Sequence, residues 1–160
     1  MRFSAQEGPP LEGVLVYTES EYGFSFRARD GEALSARLGS QGVTSVVIGT
    51  LQLEVDIESG EVLFAWGYLP NVRSVVAETE PPRAVAGRVL VSPGERFDHG
   101  ISVGVPGDDW RVTHDPSSGT VAVRLNGDSG ATFVRIADGT VLGLDGGHLV
   151  SVWLTPLFVE

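Results

Sequence analysis

The chain contains no cysteine and no lysine, and only one methionine. Without cysteine there is no disulfide framework, no thiolate zinc site and no cysteine nucleophile. That composition fits a reducing compartment. All 11 basic residues are arginine, set against 21 acidic residues, for a formal net charge of -10. Such a balance repels nucleic acid, whose binding rests on neutralising phosphates, and favours a basic partner. Long apolar runs are also missing. The most apolar stretch, 149–159, is broken by Ser151, Thr155 and Pro156 and is too short to span a bilayer. Met1-Arg2-Phe3-Ser4-Ala5-Gln6-Glu7 turns polar at once, unlike the apolar core of a signal peptide. The expectation is a soluble, cytoplasmic protein with no membrane or nucleic-acid partner, no bound metal and no cofactor.

Helical periodicity is scarce as well. Glu32 to Leu38 could form two turns before Gly39, and Asn71 to Glu78 is a weaker candidate. What fills the chain is a period of two, the pattern of half-buried strands. Tyr22, Phe24 and Phe26 alternate with Gly23, Ser25 and Arg27, and Leu51, Leu53 and Val55 with more polar residues. The same alternation runs through Ile101, Val103 and Val105, and through Val121, Val123 and Leu125. Val62-Leu63-Phe64-Ala65-Trp66 is apolar on both faces, which predicts a central strand.

The punctuation agrees with strands. Asp56-Ile57-Glu58-Ser59-Gly60 and Asp115-Pro116-Ser117-Ser118-Gly119 read as hairpin loops with a left-handed glycine. Asp145-Gly146-Gly147-His148 suits a two-residue hairpin, whose central positions both need positive φ. Asp30-Gly31 and Asn126-Gly127 are further turn signals. Strands at this spacing predict an all-β fold, a mainly antiparallel sandwich or barrel with little helix.

Two stretches match each other. Residues 49–56 and 139–145 read as the same strand, each followed by a turn glycine, Gly60 or Gly147, and by a tryptophan six residues later, Trp66 or Trp153. The expectation is one all-β domain over 1–160 built of two similar hairpin-rich halves, 1–80 and 84–160. The proline-bearing segment 78–83 separates them.

No residue set spells out a reaction. Gly127-Asp128-Ser129-Gly130 resembles the serine-nucleophile motif of chymotrypsin-like proteases, but that family draws its histidine from the first barrel. Here His99, His114 and His148 all follow residue 90, so a triad is not expected. Gly94-Glu95-Arg96-Phe97-Asp98-His99 resembles the start of a cupin metal motif, yet Ile101 stands where a second histidine would be needed. Asp56, Glu58 and Gly60 depart from the ligand pattern of an EF-hand loop. Trp66, Tyr68 and Trp153 could line a cavity, but core packing is the expected role of such residues.

The densest polar region holds Asp98, His99, Asp108, Asp109, Trp110, Arg111, His114 and Asp115. Carboxylates beside a tryptophan could make an interaction surface, since aromatics and arginine concentrate at hot spots, or a solvated loop with Trp110 packed beneath it. The leading expectation is therefore a non-enzymatic binding protein, with an immunity or antitoxin-like role as one version. Asp98, His99, Asp108, Asp109 and Trp110 are the expected contact residues. One alternative is a small-molecule-binding β-barrel. Another is an enzyme using His99 or His114 with Asp98, Asp108 or Asp109 as acid and base.

Overall fold

The computed structural model describes residues 1–73, 75–94, 96–125 and 131–160. Strand makes up 52% of the chain and helix 5%, as the period of two requires. In chain order the strands are β1 (Arg2–Gln6), β2 (Gly13–Thr18), β3 (Gly23–Ala28), β4 (Val43–Ile48), β5 (Leu51–Asp56), β6 (Val62–Tyr68), β7 (Val85–Ala86) and β8 (Arg88–Ser92). They continue with β9 (Val103–Gly104), β10 (Arg111–Asp115), β11 (Thr120–Arg124), β12 (Thr132–Ala137), β13 (Thr140–Asp145), β14 (His148–Leu154) and β15 (Leu157–Val159). Among the described residues one short α-helix, α1 (Gly31–Ser35), follows Asp30, whose carboxylate caps it by accepting from the Glu32 N–H at 2.9 Å, and a single 3-10 turn spans Glu19–Glu21. Asp30-Gly31 thus starts a helix rather than making a simple turn. No described helix is long and apolar enough to cross a membrane.

The strands form three mainly antiparallel sheets in a sandwich-like arrangement. The seven-stranded sheet runs β15-β2-β3-β6-β5-β4-β9, the six-stranded sheet β10-β11-β14-β13-β12-β7, and β1 pairs with β8. The two larger sheets share a plan. In each, a hairpin (β2–β3 or β10–β11) precedes a three-stranded meander (β4–β5–β6 or β12–β13–β14). The last meander strand then pairs with the second hairpin strand. The register slips at the same point of both meanders, between the fourth and fifth residues of β5 (Glu54/Val55) and of β13 (Gly143/Leu144). β6 occupies the centre of its sheet, as its doubly apolar sequence demands.

The halves exchange strands. The Phe3 N–H of β1 donates to the Gly147 carbonyl at 2.8 Å, and the Val91 N–H of β8 donates to the Gly60 carbonyl at 2.8 Å. Each turn glycine is therefore bonded by the leading strand of the opposite half. Leu11 likewise donates to Ile136 on β12, and Val105 to Val47 on β4, both at 2.8 Å. At the end of the chain, β15 returns to lie parallel to β2. Leu51, Leu53 and Val55 of one sheet and Val121, Leu142 and Val152 of the other belong to one buried cluster, with Val89 of β8 inside it.

The turn chemistry follows the sequence. Gly60 (φ 77°) and Gly119 (φ 71°) are left-handed, and so are Gly146 and Gly147 between the facing residues Asp145 and His148. Other segments depart from expectation. The described residues of 71–78 are not helical: Asn71 has φ 58°, and Val76 bridges in parallel to His114. Tyr22 is left-handed (φ 54°) and precedes β3. Ile101 is exposed, and only Val103 and Gly104 of its segment are strand. The Asn126-Gly127 turn, Ser129 and Glu95 lie outside the described residues.

Candidate functional site

The five expected contact residues sit on one long connection between β8 and β10. Phe97 is buried and anchors its start. Asp98 and His99 are exposed, and the carbonyl of Asp98 accepts from the Ile101 N–H at 3.2 Å to close a turn. The His99 ring lies where a side chain on residue 42 would be, which only glycine permits at that close approach and φ of 85°. The Thr44 hydroxyl holds the turn from β4 by donating to the Ile101 carbonyl at 2.6 Å.

Beyond β9 the connection leaves the sheet at Gly107 and exposes Asp108 and Asp109. Trp110 follows half-buried, packed against the core cluster. Its buried indole nitrogen has no hydrogen-bond acceptor among the described residues. Arg111 opens β10 and reaches back to Asp109 at 3.4 Å, with both side chains more than 60% exposed. A pair so exposed contributes about 0–1 kcal/mol. The connection thus brings Asp108, Asp109 and Trp110 together at the entry to β10. It holds Asp98 and His99 earlier, against the Gly42 end of β4.

His114 and Asp115 are adjacent in sequence but point to different tasks. His114 is buried on β10 with its ring edge-on to Phe158 at 5.3 Å. Burial, then the nearby Arg73, holds its pKa below the ordinary 6.5. Asp115 is committed to structure. One carboxylate oxygen accepts from the N–H and hydroxyl of Ser117, at 2.9 and 2.7 Å, and the other from the Thr79 N–H at 2.7 Å. These bonds, led by the Ser117 hydroxyl, hold its pKa well below the usual carboxylate range. Asp56 plays the same part in the β5–β6 loop, accepting from Gly39 and Ser59. Carboxylates occupied in this way orient loops rather than a histidine.

The aromatic set divides. Trp153 is buried, donates to the Ser151 hydroxyl at 3.0 Å, meets Phe133 edge-on, and carries the Arg124 guanidinium 5.1 Å above its ring. Trp66 is half-buried instead, and its buried indole nitrogen has no acceptor among the described residues. The cause lies in sequence: Ser151 stands two residues before Trp153, but Phe64 stands two before Trp66.

Two open recesses flank the β2–β3 turn; the sequence named Trp66 and Tyr68 of the second as possible cavity residues, but nothing marked the first. One, of about 280 Å³, is lined by Tyr17, Glu19, Tyr22, Asn71, Val72 and Arg73. The other, of about 160 Å³, is lined by Trp66, Tyr68, Phe24, Glu21 and neighbouring backbone. Their residues lie far apart in sequence, and no local pattern marks the left-handed Tyr22 and Asn71 that shape the first. Among the described residues no three of His, Asp or Glu gather closely enough to hold a metal ion. No protein-family model matches the chain, and no curated protein matches it.

Proposed function

We propose that this chain is a non-enzymatic binding protein that engages a basic protein partner through Asp108, Asp109 and Trp110. Asp98 and His99 would extend the contact along the same connection. The carrying observation is the exposed carboxylate pair set directly beside the half-buried Trp110. Carboxylates in that position steer a cationic surface and speed encounter. The tryptophan supplies an apolar anchor within the charged rim.

Two further features support binding over catalysis. The formal net charge of -10 favours cationic partners over the whole surface. The carboxylate next to His114 is occupied by Ser117 and Thr79, so that pair lacks the orienting bond of an acid–base dyad. Neutralising a basic toxin, as an immunity or antitoxin-like protein does, is one form this activity would take. A cytoplasmic setting is consistent with the absence of cysteine.

The test is recovery of a partner from native lysate by the wild-type chain and by the double variant Asp108→Arg, Asp109→Arg. A basic protein retained by the wild type and lost by the variant supports the reading. Equal retention by both contradicts it.

A further inference from the structure

The two large sheets carry tryptophans at the same register position, but only one of them is covered. Trp153 lies opposite Ala122 of β11, and Arg124, two residues further along that strand, places its guanidinium over the indole ring. This is a cation–π contact, which arginine makes well because its flat guanidinium stacks on an aromatic face. β11 and β14 stay paired from Val121 to Arg124, which brings the arginine into place.

In the other sheet the corresponding strands part early. β3 and β6 pair only at Gly23 and Phe24. Beyond that point Phe26 stacks on Phe64 at 5.2 Å, and Arg27, at the strand position matching Arg124, lines a separate recess beside Glu12 and Asp138. Among the described residues no arginine lies over Trp66. The 160 Å³ recess lies at the paired end, lined by Trp66 and Tyr68 of β6 with Ser25, Gly23 and Glu21 across from them.

Charge completes the recess. Glu19 and Glu21 flank the same short turn, and Glu19 is neutralised by Arg73 at 2.7 Å. Glu21 is exposed, lines the recess, and pairs with no arginine among the described residues. A carboxylate beside aromatic walls suits a guanidinium, which accepts stacking on its face and donates in a fork at its edge. At about 160 Å³ the recess is smaller than the roughly 300–1,000 Å³ of small-molecule sites, so its occupant is a single side chain. Tyr68, 61% exposed, offers a contact surface for whatever carries that side chain.

We propose that the recess formed by Trp66, Tyr68 and Glu21 receives an arginine side chain projecting from a protein partner. Trp66 then gains from outside the guanidinium that Trp153 holds from within. The proposal shares with the preceding reading only the partner's basic character. It does not need the Asp108–Trp110 loop.

The test is a titration of the ¹⁵N-labelled chain with N-acetyl-arginine methylamide, followed at the three tryptophan side-chain N–H signals. Trp66→Phe identifies the Trp66 signal. The expected result is a saturable shift at Trp66, with Trp153 unmoved. Glu21→Gln should weaken binding roughly tenfold, as loss of a charge-assisted hydrogen bond does, while backbone signals stay dispersed. The Asp108→Arg, Asp109→Arg variant should titrate as wild type, so failure here and failure of that loop as a partner site are read separately. The proposal is overturned if Trp66 does not move, or if N-acetyl-norleucine methylamide shifts it as strongly. It is also overturned if lysine amide binds as tightly as arginine amide, if Glu21→Gln binds like wild type, or if the loop variant abolishes the shift.

Discussion

Trp66 and Trp153 occupy one register position in two different sheets: Trp66 faces Gln52, the second residue of β5, and Trp153 faces Val141, the second residue of β13. Together with the shared strand order and the matching register slips, this gives the two large sheets one plan. The surroundings of the two rings have diverged. Trp153 has Ser151, Phe133 and Arg124 around it, and Trp66 has an open recess.

The two tryptophans should therefore differ in what they contribute to stability. Trp153→Ala removes a buried ring and should cost about 3–5 kcal/mol. Trp66→Ala should cost less, below about 3 kcal/mol, because part of its surface already faces water. Urea unfolding of both variants measures the difference. Equal losses would show that the environments have been misread.

Glu61 links the halves through charge. It is 3.1 Å from Arg37, with side chains only 5% and 11% exposed, and 3.7 Å from Arg88 of β8. Glu61→Ala would leave Arg37 buried without its partner, a loss of about 3–5 kcal/mol. Removing both charges with Glu61→Leu and Arg37→Met should recover much of that stability. A double variant as unstable as Glu61→Ala would contradict this account of the pair.

Acid should act in two steps. Burial holds the His114 pKa below 6.5 in the folded chain. The unfolded chain then binds the extra proton first, so stability is full above pH 6.5 and falls as pH drops below it. Asp56 and Asp115 are held below their ordinary value of 3.8. At Asp56 burial acts upward, but the bonds from Gly39 and Ser59 outweigh it. Their contribution is present above pH 3.8 and is lost as pH falls through their lower folded values. Melting temperature against pH should show both limbs. His114→Phe should flatten the upper limb and Asp115→Asn part of the lower one. A wild-type profile flat from pH 7 to pH 5 would contradict the role of His114.

Much of this fold can be read locally because its signals are local. Alternation at Leu51, Leu53 and Val55 needs only one buried face, and Gly60, Gly119, Gly146 and Gly147 mark turns that demand positive φ. The equal spacing from Gly60 to Trp66 and from Gly147 to Trp153 also carries through into register.

Other features are set by partners distant in sequence. The short parallel strands β7, β9 and β15 are defined by the edges they join. Phe3 and Val91 look like any apolar residues until they meet Gly147 and Gly60. Tyr22 reads as the start of an alternating strand, but its carbonyl accepts from Leu69 and its N–H donates to Glu19, which fixes it left-handed. The exposure of Asp98, His99, Asp108 and Asp109 follows from their polarity. The aromatic recess does not, because it depends on how β3 and its preceding turn meet β6.

The central claim is that Asp108, Asp109 and Trp110 form a surface for a basic partner. The most direct measurement is the affinity of the recovered partner for the wild type and for Asp108→Arg, Asp109→Arg, taken at low and at physiological salt, with melting temperatures alongside. The account predicts that association of the wild type slows as salt is added. It further predicts that the double variant binds at least tenfold more weakly at low salt while its melting temperature stays within a few degrees of wild type, since both side chains are exposed. Binding by the double variant as tight as wild type, with no dependence on salt, would contradict it.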